Sequence, residues 1–385
     1  MRGNIVTGID VGTHRVKVVV AEVSEGGAPP RIISAATAKS AGLRHGYIMS
    51  TKDISASIAS AVNKAQRDSG IQIDNAYISF GGVGLDEINA TGTTTISRVD
   101  KEVAEHHIDE AISNAKREAK DKLTNKKIIH SIPISYTLDN EAVLGNPIGM
   151  QGSKLAVNVL FITALEQHLA DLITAVENVG IEVLQTTAAP IAASLVTLNK
   201  AQKMAGCVLA NIGAETTSIA IFEDDMPVSI KVIPLGSSNI TNDIAIGLKI
   251  PLMEAEQIKL GAVTGTDYSQ KKLNDIVTSR LKDIFKLMTS HLKSIGKAGL
   301  LPAGVILTGG GSGIFSIEDL AKSILKLPGE IAPLRFGAQT LKDSSWAVAY
   351  GLCIQAADNA TSKDTFRIGL LNTRRMFKWV KKFLP

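Results

Sequence analysis

Gly8-Ile9-Asp10-Val11-Gly12-Thr13-His14-Arg15-Val16-Lys17, close to the N-terminus, is the stretch on which the reading of the whole chain turns. An alternating apolar run, 5–9, enters it and a second, 16–21, leaves it. Two strands joined by so short a Gly/Thr turn make a β-hairpin. Asp10 stands where the first strand ends, followed by small residues whose N–H groups and hydroxyl can line an anion-binding concavity. There the main chain would hold a phosphate, and Asp10 would place a Mg²⁺ through water. An ordinary hairpin with an exposed aspartate would look the same, and what separates the two readings is a partner far down the chain.

That partner is Asn211-Ile212-Gly213-Ala214-Glu215-Thr216-Thr217-Ser218, with a strand over 206–211, a turn over 212–217 and strands over 218–222 and 228–233. In the first half the hairpin is followed by a short strand from Ile32, a helix over 51–69 stopped by Gly70, and a strand over 76–80 ending at Gly81-Gly82. Two strand–turn–strand phosphate loops about 200 residues apart, each heading a β-β-β-α pattern, imply an internal duplication and favour the clamp reading.

The texture changes between the halves. Residues 81–161 read as a small α+β insertion: a strand over 91–96, a charged helix over 101–123, strands over 128–134 and 155–163, and a loop over 146–152. A helix over 165–179 capped by Gly180, a strand over 181–184 and a helix over 191–198 lead to the second half. There, helices are expected over 239–246, 251–259 and 271–294. A strand over 304–307 then enters Thr308-Gly309-Gly310-Gly311-Ser312-Gly313, whose three glycines let backbone approach a flat ligand. An apolar helix over 346–357 precedes a polar linker, 358–364.

Composition narrows the class. The 385 residues are 45% hydrophobic and 20% charged, as in a folded globular protein. Cys207 and Cys353 are too few for a disulfide scaffold or a thiolate metal site and suit a reducing compartment. Seven scattered histidines lack ligand spacing, so a metal hydrolase has no foothold. Neither a bilayer-spanning apolar run nor a signal peptide is expected. The net charge of +4 is unevenly placed, because Arg374, Arg375, Lys378, Lys381 and Lys382 leave the rest of the chain near −1. A nearly neutral body argues against nucleic acid as a partner.

The tail itself is amphipathic. At about 100° per residue, Met376, Phe377, Trp379, Val380, Phe383 and Leu384 fall within an arc of roughly 160°, with all five basic residues opposite. A Trp/Phe face backed by Lys/Arg is the composition of a helix lying on anionic lipid. A C-terminal helix docked on its own domain is the plainer alternative, but it rarely needs an all-basic reverse side; calmodulin-like peptide binding is another.

The paired phosphate loops, the Thr308–Gly311 loop, the small insertion and the basic tail together resemble the bacterial cell-division FtsA family of the actin/heat-shock-chaperone/sugar-kinase superfamily. The stretches Asn146-Pro147-Ile148-Gly149-Met150, Ile240-Thr241-Asn242-Asp243-Ile244-Ala245 and Ala255-Glu256-Gln257-Ile258-Lys259 carry the same resemblance. It implies an α/β, actin-like fold of duplicated β-β-β-α-β-α halves around a nucleotide cleft. Subdomain 1A would be 1–80 with 162–195, 1C the insertion 81–161, 2A 196–235 with 300–357, and 2B 236–299. A linker, 358–373, would lead to the membrane-targeting helix 374–385.

The resemblance also implies ATP and Mg²⁺. Gly12, Thr13 and His14 would meet phosphates from one side, and Asn211, Gly213, Ala214, Glu215 and Thr216 from the other. Asp10 would organise the metal, with Asn211 opposite it, through water. Gly236 and Asn239 lie in the matching loop near the nucleotide, Glu256 and Lys259 at the nucleoside, and Gly309, Gly310, Gly311 and Ser312 on adenine and ribose. The insertion would contact neighbouring protomers in a head-to-tail filament. The 2B region would receive the C-terminal peptide of FtsZ, with Arg280 as the candidate for an acidic peptide. Implied partners are FtsZ, further copies of the chain, anionic lipid and later divisome proteins, at the cytoplasmic face of the inner membrane at the division site.

Three departures qualify this. Asn211 replaces the usual aspartate of the second loop, Glu215 brings an anionic side chain toward phosphates, and Ala189 stands near where related ATPases carry a water-orienting Glu or Gln. Binding with slow or absent hydrolysis is the expectation. Two alternatives share the architecture. A PilM-like peptide-binding protein of pilus assembly would not need the tail, and a sugar-kinase-type phosphotransferase would need a substrate-side aspartate and a larger substrate domain.

Overall fold

The computed structural model describes residues 4–24, 28–97, 102–262, 268–332 and 343–361, so the proposed membrane-binding residues, 374–384, lie outside it. The described residues form two compact units, 1–86 with 165–361, and 87–164.

In the larger unit, β1 (Asn4–Val11), β2 (Arg15–Val23) and β3 (Arg31–Lys39) form an antiparallel meander. The strand from Ile32 is therefore nine residues long, not short. A small hairpin, β4 (Leu43–Arg44) and β5 (Tyr47–Ile48), precedes α1 (Thr51–Ser69). Ser50 caps α1 by accepting from the Asp53 N–H, and Gly70 closes it at φ 66°, a left-handed conformation that glycine adopts freely. Next comes β6 (Asn75–Phe80), and β7 (Leu85–Thr95) leads into the smaller unit.

The smaller unit, taken by itself, has a sheet in the order β7-β10-β8-β9, with α2 (Glu105–Glu118), β8 (Lys126–Leu138), β9 (Glu141–Val143) and β10 (Lys154–Leu165). Its core joins Ile108, Ala111, Ile112 and Ala115 of α2 to Val157, Val159 and Phe161 of β10. The helix expected over 101–123 starts later and stops sooner. Val103 N donates to Met150 O and its carbonyl accepts from Gly149 N, so its backbone pairs with a loop instead of entering a helical turn. A 3₁₀ turn over Lys120–Leu123 takes the other end.

His130 on β8 is 1% exposed, and burial lowers its pKa from 6.5 to about 4. The unfolded chain therefore binds more protons than the folded one between those values. Stability from this residue is complete above pH 6.5 and declines as pH falls through the window. Acidification from pH 7 to pH 5 should cost about 2 kcal/mol, read as a lower denaturation midpoint on the β8 sheet.

The chain returns to the larger unit through α3 (Glu166–Glu177), β11 (Glu182–Ala188), α4 (Ala189–Thr197) and α5 (Lys200–Ala205). The second meander is β12 (Cys207–Ile212), β13 (Thr217–Glu223) and β14 (Met226–Ile233). Helices α6 (Ser237–Leu248), α7 (Leu252–Lys259) and α8 (Gln270–Ser294) follow, then β15 (Gly304–Thr308), α9 (Ile317–Leu325), β16 (Gly329–Ile331) and α10 (Ala347–Thr361). The helical backbone of α10 continues through 358–361, which correct the start of the expected linker. Asn359 there donates to Gln185 Oε1 at 2.9 Å.

The duplication is visible strand for strand. One sheet runs β3-β2-β1-β6-β11 and the other β14-β13-β12-β15-β16. In each, the first three strands are antiparallel and the last two are added parallel. Strand β16, with three residues and no alternation to betray it, completes the second copy. Helix α10 closes the first half, packing Ala349, Tyr350 and Cys353 with Val6, Val19 and Ala21. The second sheet shares one continuous core with α6, α8 and α9, through Ile219, Ile244, Leu281 and Ala321.

Candidate functional site

The two glycine turns are built alike. A Cβ on Gly12 would lie 3.0 Å from Arg15 O, and one on Gly213 would lie 2.9 Å from Thr216 O. Each glycine lets its turn fold back on the residue three places on. The strands enter and leave in the same register, Asp10 opposite Lys17 and Asn211 opposite Ser218. A charged cross-strand pair in one copy is thus a neutral polar pair in the other. A carboxylate at position 211 would lack a cation across the ladder, a physical reason for the amide there.

The next parallel strand repeats the pattern with a hydroxyl. Ser79 Oγ donates to Asp10 Oδ1 at 2.7 Å, and Thr308 is the register partner of Asn211. Burial raises the pKa of Asp10, while the Lys17 charge and the Ser79 hydrogen bond oppose the rise. Among the described residues Asp10 Oδ2 accepts no hydrogen bond. Lys17 and Ser79 were not anticipated, although the position of Ser79 at the end of an apolar strand before Gly81-Gly82 was an available signal.

The second turn is held from behind. Ser237 N and Ser238 N, at the start of α6, donate to Gly213 O and Ala214 O at 2.9 and 2.7 Å. Gly236 permits this approach, since a Cβ there would lie 2.5 Å from Ala214 O, and Asn239 Oδ1 accepts from Gly236 N at 2.9 Å. Two of the amides at the α6 N-terminus are therefore spent on the turn's carbonyls. Glu215 does not point its charge back into its own turn: Oε2 accepts from His45 N at 2.5 Å.

Glu256, Lys259 and Thr241 form a tight group on α6 and α7. Lys259 Nζ lies 2.7 Å from Glu256 Oε2, and the Lys259 side chain is only 5% exposed. Thr241 Oγ1 bridges them, donating to Glu256 Oε2 at 2.5 Å and accepting from Lys259 at 2.9 Å. Burial pushes the Glu256 carboxyl up, but the hydrogen bonds from Lys259 and Thr241, with the charges of Lys259 and His14, outweigh it and hold the pKa low. His14 on the first turn feels the same group. Desolvation and the positive charge of Arg15, Lys17 and Lys259 lower its pKa against the pull of Glu256. The first turn and α7 thus face one another electrostatically. Thr13, beside His14, is half-buried.

The glycines after β15 serve a protein contact first. Gly309, at φ 87°, has Asn211 Oδ1 and Ile212 O where a Cβ would stand. Gly311 N donates to Ile212 O at 2.9 Å, and Ser312 Oγ donates to Gly309 O at 2.8 Å. Gly309, Gly311 and Ser312 are buried, and of the four only Gly310 is exposed. Ala189, at the start of α4, is buried too.

Arg280, the candidate for an acidic peptide, is part of a fork between helices. Its Nε and a terminal nitrogen bind both Asp243 oxygens at 2.7 and 3.0 Å, and Asp283 lies 3.5 Å away. This fork joins α8 to α6.

Two copies of one five-stranded sheet, each headed by a glycine turn, define an actin-like ATPase fold. Solved structures agree. The PilM–PilN type IV pilus biogenesis complex superposes with a TM-score of 0.65 at 19% identity, covering 91% of this chain and 98% of the other. MreB 5 of Spiroplasma citri bound to AMPPNP superposes with a TM-score of 0.54 at 13% identity, covering 99% of each. The family model for cell division protein FtsA matches residues 208–351, and that for the SHS2 domain inserted in FtsA matches 82–163. The cell division protein FtsA of Pseudomonas aeruginosa is 28% identical over 347 residues, covering 85% of this chain and 82% of that protein. The chain belongs to the FtsA family of cell-division proteins.

Proposed function

We propose that this chain is an actin-like, ATP-binding cell-division protein that polymerises and tethers FtsZ filaments to the cytoplasmic membrane, where later divisome proteins join it. The observation that carries the nucleotide part is the pair of equivalent turns, with Asp10 at one and the α6 N-terminus behind the other. These residues suit an anionic ligand with a hydrated cation. Gly12, Thr13 and Gly213–Thr216 would bind phosphate through main-chain groups. Asp10 would orient Mg²⁺, with neutral Asn211 opposite. Glu256 and Lys259 are preorganised for a nucleoside, and Gly310 is the glycine open to it. The bound nucleotide would supply phosphate charge and a metal ion to the cleft. Neutral Asn211 and buried Ala189 leave no general base in view, so binding should outlast hydrolysis.

The remaining parts rest on family membership and on the sequence. Insertion 81–161 would meet neighbouring protomers, and 374–385 would meet anionic lipid. Peptide capture in the helical region would use Arg280 together with exposed apolar side chains such as Ile246, Leu252 and Met253, which are 77%, 58% and 78% exposed. A synthetic FtsZ C-terminal peptide on beads should retain the chain, more strongly with Mg-ATP than without. No retention in either condition would favour the PilM-like reading.

A further inference from the structure

The β4–β5 hairpin has two residues per strand, too few to hold itself together. Yet His45 at its tip is engaged through both backbone groups. Its N–H donates to Glu215 Oε2 at 2.5 Å, its carbonyl accepts from Val83 N at 3.2 Å, and its ring Nδ1 lies 3.2 Å from Glu215 O. His45 and Gly46 have φ of 50° and 81°, the consecutive left-handed pair of a two-residue hairpin turn. Gly46 packs directly on Gly82, with no room for a Cβ, and Tyr47 stacks on His168 at 4.0 Å. The hairpin belongs to the first half, while Glu215 belongs to a turn pinned against α6 in the second. Between two fixed backbones, the movable element is the Glu215 side chain.

We propose that Glu215 and His45 form a latch across the cleft, by which phosphate on the second turn is signalled to the β4–β5 hairpin and on to Val83. This rests on the nucleotide reading above. Within 10–15 and 211–216 the only carboxylates are Asp10 and Glu215. A polyphosphate against Gly213–Thr216 would place several negative charges near Glu215, and like charges at such range repel strongly where water is excluded. The repulsion drives the carboxylate outward, onto the His45 N–H, and tightens a contact that otherwise exchanges with solvent. The charge that looks unfavourable beside phosphates thereby becomes the sensing element.

Hydrogen–deuterium exchange on the full chain, with and without Mg-ATP, reads the latch directly. Binding is followed separately with a fluorescent ATP analogue. In the unaltered chain Mg-ATP should slow exchange over 43–48 and at Val83 by about tenfold. Gly46→Ala forces the hairpin off Gly82, so nucleotide should still bind but lose that effect. Glu215→Gln keeps an acceptor and removes the charge. It should retain most of the basal protection and lose most of the ATP-dependent increment, which also decides the matter if Gly46→Ala fails to fold. ATP that binds without altering hairpin exchange overturns the latch, as does an undiminished increment in Glu215→Gln. No binding by the unaltered chain overturns the nucleotide reading, and the latch with it.

Discussion

Removal of residues 374–385 is expected to abolish co-sedimentation with vesicles containing anionic lipid, with the folded body left in the supernatant. Five of the chain's 41 lysines and arginines lie in those twelve positions with no acid among them, leaving the remainder near neutral. Each basic residue near an anionic surface contributes about 1 kcal/mol, so the set is worth about 5 kcal/mol before any apolar burial. Met376, Phe377, Trp379, Val380, Phe383 and Leu384 add that burial on the opposite arc of a helix. Among the described residues no helix is long and apolar enough to cross a membrane. A filament would multiply modest single-copy affinity by avidity, so the same deletion should cost an assembled protein more than a monomer. Unchanged vesicle binding by the shortened chain would refute the membrane part of the proposal.

Asp10→Ala should weaken Mg-ATP binding by about tenfold or more, or at least about 1.4 kcal/mol, in a fluorescence titration. With Asn211 neutral, Asp10 is the one carboxylate at the paired strand ends, hydrogen-bonded by Ser79 and opposite Lys17 across the ladder. Its loss would remove the charge that orients the metal, while main-chain contacts to phosphate would remain. ATP without Mg²⁺ should therefore distinguish the variant less. Because burial raises the Asp10 pKa above 3.8, neutralisation begins at a higher pH than for an exposed aspartate. Metal-dependent affinity should accordingly fall as the pH is lowered, starting above the ordinary carboxylate range. Lipid affinity of the monomer should persist in this variant; its loss along with ATP binding would show that the two functions are not separable.

The duplicated architecture was open to reading because each cue is local. Apolar alternation into Asp10 and Asn211, the glycines two residues beyond, and the caps Ser50 and Gly70 all act on neighbours in the chain. Errors arose where local preference met a distant partner. Val103 carries helix-compatible surroundings, but its backbone pairs with Gly149 and Met150, so the helix begins after it. The fork that Arg280 makes with Asp243, 37 residues earlier, is likewise absent from any local pattern.

The same division runs through the site. The sequence by itself determined the two turns, their asymmetry at Asp10 and Asn211, and the amphipathic tail, because spacing and charge are written in consecutive residues. Only the tertiary structure decided that Gly309 and Gly311 fit around Asn211 and Ile212 and that Glu215 reaches His45, 170 positions away. Such contacts depend on two backbones being brought together by separate cores, and no periodicity within either segment encodes the meeting.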